Sequence, residues 1–188
     1  MSEQKAVLRD QARKHRILTD IREEDVEAAT PLFFDTLKPG NSKIIASYWP
    51  KGREFDPTHI LETAHKDGFT CALPKVREDT KILSFIKWTP EIKLSKGAFG
   101  IMEPEEGEEI EPDIFIVPML AFDRKGTRLG QGGGYYDATL AHYREQKDIE
   151  AVGIGYSFQA VLFTLPIEEH DQKMDYILTP QGITSYKD

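Results

Sequence analysis

Several features that would place a chain outside the ordinary globular class are missing from this sequence. It has one cysteine, Cys71, so it cannot form an internal disulfide. No apolar run approaches the roughly 20 residues that cross a bilayer, and residues 1–16 lack the uninterrupted apolar stretch of a secretory signal. We therefore expect a cytoplasmic protein with no membrane partner, and we interpret Cys71 as a small core residue of a strand rather than a reactive thiol.

An excess of positive charge is also missing. The chain carries 24 Lys and Arg against 32 Asp and Glu, which gives a formal net charge of −8. General nucleic-acid binding depends on clustered positive charge that displaces counterions from phosphates, so we expect no nucleic-acid partner. A small anionic ligand is still compatible with this charge, because charges beyond roughly 8 Å are largely screened whereas a cation at about 4 Å acts strongly. Local arginines therefore decide whether the protein binds an anion.

Two common catalytic patterns are absent as well. The five histidines form no helical pair at metal-ligand spacing, and no serine lies in a nucleophile-elbow motif. We therefore expect neither zinc chemistry nor acyl transfer.

What the sequence does contain is the composition and patterning of one α/β domain. With 39% hydrophobic residues, 188 residues can bury a substantial core but are too few for two comfortable domains, so we expect a single domain over residues 1–188. Strand and helix patterns alternate, which predicts a three-layer α/β/α fold with a mostly parallel sheet. The predicted helices are 3–18, 57–67 and 135–146, and the predicted strands are 43–50, 69–74, 82–88, 114–119, 151–156 and 176–179.

Two features of the N-terminal part add to this pattern. In the first helix, Lys5, Arg9 and Arg13 fall four residues apart and hence on one face. If no ligand binds to this face, the three residues are simply solvent-exposed surface cations. Residues 21–37 predict further helix, which Pro31 kinks or restarts.

The segment RLGQGGGYYD, Arg128 to Asp137, joins a predicted strand to a predicted helix. Gly132, Gly133 and Gly134 allow positive φ and let ligand oxygens approach backbone amides closely. The helix N-terminus adds about half a positive charge, and Arg128 can pair with a phosphate in two places. The segment completes neither a Walker loop nor a dinucleotide fingerprint. General rules leave two interpretations, a phosphate cradle and a simple turn.

Acidic residues offer candidate metal ligands. Asp137, in the first turn of the helix, is either a helix-dipole partner or a ligand to Mg²⁺, which prefers carboxylates and the phosphates of a nucleotide. Spacing alone leaves both interpretations open. Near the C-terminus, Glu168, Glu169, Asp171 and Asp175 are typical of surface charge, although one of them can complete a metal site with Asp137.

Separated segments of the chain together resemble one known family, the 5-formyltetrahydrofolate cyclo-ligases. They lie in the family's order from about residue 5 to 178 and are KAVLR, YWPKGREFDP, FGIMEP, VPMLAFDRKGTRLGQGGGYYD and HDQKMD. The resemblance implies the ribose-phosphate isomerase and CoA transferase-like fold. It also implies an ATP- and Mg²⁺-dependent cyclisation of 5-formyltetrahydrofolate to 5,10-methenyltetrahydrofolate, with release of ADP and phosphate. In the family's scheme the formyl oxygen takes the γ-phosphoryl group and nitrogen 10 attacks the activated carbon.

The resemblance further implies a role for each candidate site residue. ATP contacts are expected from Lys5, Arg9, Arg128, Leu129, Gly130, Gln131, Gly132, Gly133, Gly134, Tyr135 and Tyr136. Folate contacts are expected from Glu54, whose carboxylate suits the pterin's donors, and from Gln131, Gly132, Gly133, Gly134 and Tyr135. The expected catalytic residues are Arg128, Tyr135 and Tyr136, and the expected Mg²⁺ ligands are Asp137 and Asp171. The partners are then small molecules, and we expect a monomer.

Two other functions stay open. An enzyme that acts on another phosphorylated small molecule, such as a sugar phosphate, would share the fold. Lys5 and Arg9 argue against it, because a nucleoside triphosphate needs more cationic partners than a single phosphate does. A non-catalytic folate or nucleotide-binding protein would gain nothing from Asp137 and Asp171 beside phosphates unless a metal lies between them. We therefore expect a cyclo-ligase.

Overall fold

The structure, a computed structural model, describes residues 3–187. Within them the α-helices are α1 (Glu3–Leu18), α2 (Ala29–Leu37), α3 (Thr58–Lys66) and α4 (Tyr135–Gln146). The strands are β1 (Ile44–Ala46), β2 (Thr70–Lys75), β3 (Ser84–Trp88), β4 (Leu94–Lys96), β5 (Met102–Pro104), β6 (Ile114–Pro118), β7 (Ala121–Phe122), β8 (Arg128–Leu129), β9 (Glu150–Ile154), β10 (Tyr176–Thr179) and β11 (Gly182–Ser185). None of the described helices is long and apolar enough to cross a membrane.

Seven strands form the central sheet in the order β11-β10-β9-β6-β1-β2-β3. The five inner strands are parallel to one another, whereas β3 and β11 at the edges pair antiparallel. Two short ribbons, β4 with β5 and β7 with β8, lie outside this sheet. The mostly parallel sheet expected from the sequence is confirmed. Ligands of such folds bind beyond the carboxyl ends of the strands, and the segment that follows β6 leads there.

Helices cover both faces of the sheet, which confirms the three-layer arrangement. On one face α2 and α3 bury Phe33, Ile60 and Leu61 against the strands. On the other face α4 buries Leu140 and Tyr143. Strands covered on both sides need apolar residues on both sides, and this is why the central strands read as nearly continuous apolar runs rather than alternating ones.

The predicted elements are present, with one helical segment built differently. α1, α4 and β10 have the predicted bounds. In residues 21–37, however, two single-turn 3₁₀ helices precede α2. Asp20 and Asp25 each accept a hydrogen bond from the backbone N–H two residues ahead. Each contact caps the start of a separate 3₁₀ turn, so one continuous helix does not form. Pro31 lies in the first turn of α2, where its missing N–H costs no helical hydrogen bond.

The strand predicted at 43–50 is shorter than expected. β1 ends at Ala46, although the Ser47 N–H still donates to the Ala72 carbonyl at 3.0 Å. β11 and the two ribbons were not predicted, because their strands are short and most are mixed in polarity, whereas the equally short β1 and β10 lie in apolar runs. Cys71 lies on β2 with 1% of its surface exposed, which confirms it as a core residue.

Candidate active site

The cationic face of α1 is turned toward the glycine-rich segment rather than toward solvent. Lys5 and Arg9 are buried, with 3% and 8% of their surface exposed. Arg9 Nε donates to the Gly130 carbonyl at 2.9 Å, and Arg13 Nη2 donates to the Gln131 carbonyl at 3.1 Å. The four-residue spacing therefore places Arg9 and Arg13 at the start of the glycine-rich segment, while Lys5 on the same helix face pairs with Glu168 and Asp171. The interpretation as solvent-exposed surface cations is wrong for Lys5 and Arg9.

The glycine-rich segment follows the carboxyl end of β6 through the β7–β8 ribbon and ends at the N-terminus of α4. Gly132 and Gly134 have φ of 103° and 75°, a region that side-chain-bearing residues rarely adopt. A Cβ on Gly130 would lie 2.5 Å from Arg128 Nη1. The segment therefore needs glycine at positions 132 and 134, whereas at position 130 the close atom is the end of a flexible side chain that can move. The first backbone amides of α4, which begins directly after Gly134, have no partner within the helix.

Arg128 and Asp137 form an ion pair across this segment. Arg128 Nη2 lies 2.9 Å from Asp137 Oδ1, and the two side chains are only 5% and 18% exposed. The same carboxylate oxygen accepts a hydrogen bond from the Gln172 N–H at 3.0 Å. Arg128 Nε and Arg9 Nη1 are buried and have no hydrogen-bond partner among residues 3–187. Two guanidinium donors are thus buried beside the glycines without an acceptor.

The acidic residues of the segment 168–175 have two different roles. Glu168 and Asp171 lie at the candidate site, whereas Asp175 holds secondary-structure elements together. Asp171 Oδ2 accepts from the Glu168 N–H at 2.7 Å and also pairs with Lys5. Glu168, itself 3.1 Å from Lys5 Nζ, joins Asp171 and His170 in a cluster whose potential ligand atoms lie within 4.8 Å of one another. Asp175 instead bonds the Ala151 N–H and Arg144, and so fastens β9 to α4.

These carboxylates suit a small divalent cation, because Mg²⁺ prefers oxygen ligands. Asp171 supplies one oxygen and Glu168 another, both partly buried. Asp137 is not part of that cluster, but its bond to Gln172 places it against the residue that follows Asp171. The structure therefore brings both predicted metal ligands to the same loop, and it adds Glu168 as a candidate that the sequence had left among surface charges.

Glu54 reaches the glycine-rich segment from the loop before α3. Its Oε1 accepts from Gln131 Nε2 at 3.3 Å, and its Oε2 accepts from the Lys51 N–H at 3.0 Å. Seventy-seven positions separate Glu54 from Gln131, so no local pattern could reveal this contact. The predicted folate-binding carboxylate thus touches the predicted ATP-binding loop.

The two tyrosines of the segment have different surroundings. The Tyr136 hydroxyl is buried without a hydrogen-bond partner among the described residues. Burial raises the pKa of Tyr136 well above its ordinary value, the Glu54 carboxylate adds to the increase, and Arg128 opposes it. Tyr136 is therefore a protonated donor at neutral pH. The Tyr135 ring packs edge-on against Phe99, with 5.6 Å between the ring centroids.

Sequence reasoning missed Phe99 and an apolar groove. Phe99 is 62% exposed and has a φ of 58°, and its carbonyl accepts from Lys51 Nζ. An exposed aromatic side chain on a strained backbone is typical of a binding surface. In the sequence, the only sign of this feature is a bulky residue next to glycine in KGAFG. The groove, of about 390 Å³, is lined by Leu8 and Ala12 of α1, by Leu129, and by the loop carrying Val161 and Phe163. Of these residues, only Leu129 was a predicted site residue.

The fold and the site together define an α/β protein in which buried cations lie beside a glycine-rich helix start, an arrangement suited to an anionic ligand.

Comparison with known proteins identifies the family of this α/β protein. Residues 1–180 match the model of the 5-formyltetrahydrofolate cyclo-ligase family. The 5-formyltetrahydrofolate cyclo-ligase of Haemophilus influenzae is 31% identical over 179 residues, which cover 91% of this chain and 95% of the relative. That of Mycolicibacterium smegmatis is 34% identical over 157 residues, covering 78% and 79%.

A solved structure gives the same result. The 5,10-methenyltetrahydrofolate synthetase of Aquifex aeolicus superposes with a TM-score of 0.81 at 33% sequence identity, covering 98% of this chain and 93% of that one. The chain belongs to the 5-formyltetrahydrofolate cyclo-ligase family, and it is an enzyme of that family. The family and the fold expected from the sequence are confirmed.

Proposed function

We propose that the protein converts 5-formyltetrahydrofolate to 5,10-methenyltetrahydrofolate at the expense of ATP, with Mg²⁺ bound. The formyl oxygen forms a bond to the γ-phosphorus while the bond to ADP breaks. Nitrogen 10 then attacks the activated formyl carbon and loses its proton, and the C–O bond breaks as phosphate leaves with the electron pair. Phosphorylation turns a poor leaving oxygen into a good one. The chemistry requires positioning and charge neutralisation rather than a protein nucleophile.

The observation that carries this proposal is that two of the three buried guanidinium donors without an acceptor among the described residues lie beside the glycine-rich segment. Arg9 Nη1 and Arg128 Nε find no partner within the described part of the chain, and both lie beside the glycine-rich segment. A buried donor is costly to leave unpaired. Phosphate oxygens are the acceptors that satisfy guanidinium groups in two places at once, and the start of α4 adds backbone donors for the same charge.

The apolar groove beside α1 supplies a place for the adenine ring. Leu8 and Ala12, which line it, lie on the same helix as Lys5 and Arg9, so a nucleotide with its phosphates at those cations can reach it. Leu129 lines the groove and directly follows Arg128. A nucleotide needs an apolar slot for its base and cations for its phosphates, and α1 and β8 each contribute to both.

The carboxylates of Asp171, Glu168 and Asp137 hold the metal in this proposal. Mg²⁺ bound there would neutralise charge on the transferring phosphoryl group. On the folate side, Glu54 accepts hydrogen bonds from the pterin, and Gln131 to Tyr135 line the formyl group. Tyr136, kept protonated by its burial, donates to the oxygen that receives the phosphoryl group, and Arg128 balances the charge that develops there. Tyr135 with Phe99 forms an aromatic wall.

We further propose that the chain acts as a single-domain monomer in the cytoplasm, with small molecules as its only partners. The test of the function is direct. The protein is incubated with 5-formyltetrahydrofolate, ATP and Mg²⁺, and the near-UV absorbance of the methenyl product is followed beside the release of ADP. Both should rise in a one-to-one ratio. Folded protein that hydrolyses ATP without forming the methenyl product, or that only binds the ligands, contradicts the proposal.

A further inference from the structure

The charged residues of the site are paired with one another in a specific way. Two of the three cations expected to bind phosphate, Lys5 and Arg128, each pair with a carboxylate expected to bind metal. Lys5 pairs with Asp171, with side-chain exposures of 4% and 16%, and Arg128 pairs with Asp137, with exposures of 5% and 18%. The two pairs come from different elements, since Lys5 lies on α1 and Arg128 on β8.

We propose that these two ion pairs couple nucleotide binding to metal binding through an exchange of partners. This inference rests on the proposed function. When both ligands bind, Lys5 and Arg128 turn from the carboxylates to phosphate oxygens, and Asp171 and Asp137 turn to the cation. No charge is left unpaired at any stage that holds both ligands, so the exchange avoids the large cost of an isolated buried charge.

Backbone contacts hold the carboxylates in place while their partners change. Asp171 accepts from the Glu168 N–H at 2.7 Å and Asp137 accepts from the Gln172 N–H at 3.0 Å, and neither contact involves the paired cation. The cations have other contacts as well, because Lys5 also pairs with Glu168 at 3.1 Å. The arrangement can therefore release either cation without losing the geometry of the carboxylate.

Because of this exchange, we expect the nucleotide and the metal each to bind weakly in the absence of the other. A nucleotide without metal has to draw Lys5 and Arg128 away from carboxylates that then face its phosphates with like charge. A metal without nucleotide has to displace the same cations, which then lose Asp171 and Asp137 as partners and gain no phosphate in return. Coupling of this kind is reciprocal, so the factor by which the metal strengthens nucleotide binding equals the factor by which the nucleotide strengthens metal binding.

The test is the affinity for ATP measured by calorimetry in EDTA, where wild-type binding should be weak. Asp171→Asn and Asp137→Asn each release a cation and remove a repelling charge, and each should bind metal-free ATP at least tenfold more tightly than wild type does. The advantage that Mg²⁺ gives should shrink in both variants. Glu169→Gln is the matched control, since it removes one negative charge from the same segment at an exposed residue with no ion pair among residues 3–187. Its affinity should change less than twofold.

The reciprocal measurement uses Mn²⁺ as a paramagnetic probe in the absence of nucleotide. Lys5→Met releases Asp171, so this variant should bind Mn²⁺ at least fivefold more tightly than wild type. Thermal unfolding establishes that each variant is folded. If one Asn variant does not fold, the other decides, because the two carboxylates lie on different elements.

Unchanged or weaker binding of metal-free ATP by the folded Asn variants overturns the exchange, while wild-type binding of ATP with Mg²⁺ leaves the proposed function standing. Wild-type protein that binds no ATP even with Mg²⁺ contradicts the proposed function itself. The two failures are therefore distinct.

Discussion

Gln131 donates its side-chain amide to Glu54 across 3.3 Å, and this contact joins the loop before α3 to the glycine-rich segment. It places a carboxylate that we assign to folate against a loop that we assign to ATP. In the proposed reaction the two substrates meet at the formyl oxygen, and a direct link between their assigned binding residues suits a phosphoryl transfer between them.

Replacing Glu54 with Gln should weaken folate binding while sparing ATP. Glu54→Gln keeps the size of the side chain but loses the charge that accepts from the pterin, and a hydrogen bond to a charged group contributes about 1.5–3 kcal/mol. We expect affinity for 5-formyltetrahydrofolate, measured by fluorescence without ATP, to fall roughly tenfold or more by that figure. Glu62→Gln, an exposed change on α3, is the control. Unchanged folate affinity would remove Glu54 from the pterin site.

Replacing Arg128 with Lys should impair turnover more than folding. Lysine is a point charge and cannot pair with a phosphate in two places as the guanidinium fork can. We expect kcat/KM to fall by well over tenfold, with the melting temperature little changed. Arg124→Lys, at an exposed position of the same ribbon, should be neutral. A mild effect of Arg128→Lys on activity would show that a single charge suffices at this position.

A charge placed in the apolar groove should interfere with ATP alone. Ala12→Glu puts a carboxylate among Leu8, Leu129 and Phe163, where it must be desolvated or must block the adenine ring. We expect the KM for ATP to rise at least tenfold while the KM for folate stays within twofold. Ala6→Glu makes the same change at an exposed position of α1 and should leave both constants unaltered. An equal effect from both variants would contradict the adenine assignment.

Cys71 should be unreactive in the folded protein. Burial raises the pKa of its thiol to about 12 from an ordinary value near 9, and its Sγ lies 3.6 Å from the Leu61 carbonyl. Because the thiol has a higher pKa in the folded protein than in the unfolded chain, its contribution to the free energy of unfolding is fully present below pH 9 and is lost as the pH rises toward 12. An aromatic disulfide reagent at pH 8 should label no thiol in native protein and one equivalent in urea. Rapid native labelling would contradict burial at this position.

The sequence predicted the elements that depend on local signals. α4 begins at Tyr135 because Gly134 adopts a positive φ and glycines cannot continue a helix well, and this is readable from the letters alone. The spacing of Lys5, Arg9 and Arg13 predicted their common face. Cys71 between apolar neighbours was correctly placed in the core.

What could not be predicted depends on contacts between distant segments. Lys5 and Asp171 are 166 positions apart, and the family resemblance implied ATP as the ligand of one and Mg²⁺ as the ligand of the other without indicating that the two residues pair. Glu168 looks the same as Glu169 in sequence, and only the fold turns the first toward Lys5. In residues 21–37, hydrogen bonds from the backbone to Asp20 and Asp25 replace those of a continuous helix. The pattern of apolar residues does not show which of these two sets of hydrogen bonds will form.

The meeting of Lys5 with Glu168 and Asp171 also sets an order of events during synthesis. Lys5 of the first helix is translated well before its partners, which lie 163 and 166 positions further along the chain. The strands β1, β2, β3, β6 and β9 of the central sheet precede residue 171 and can pair before it is translated, whereas Lys5 cannot meet its carboxylate partners until residue 171 has emerged. A chain that stops before residue 168 would therefore contain five strands of the central sheet but lack both carboxylates that pair with Lys5, so that binding at this site distinguishes chains translated past residue 171 from shorter ones.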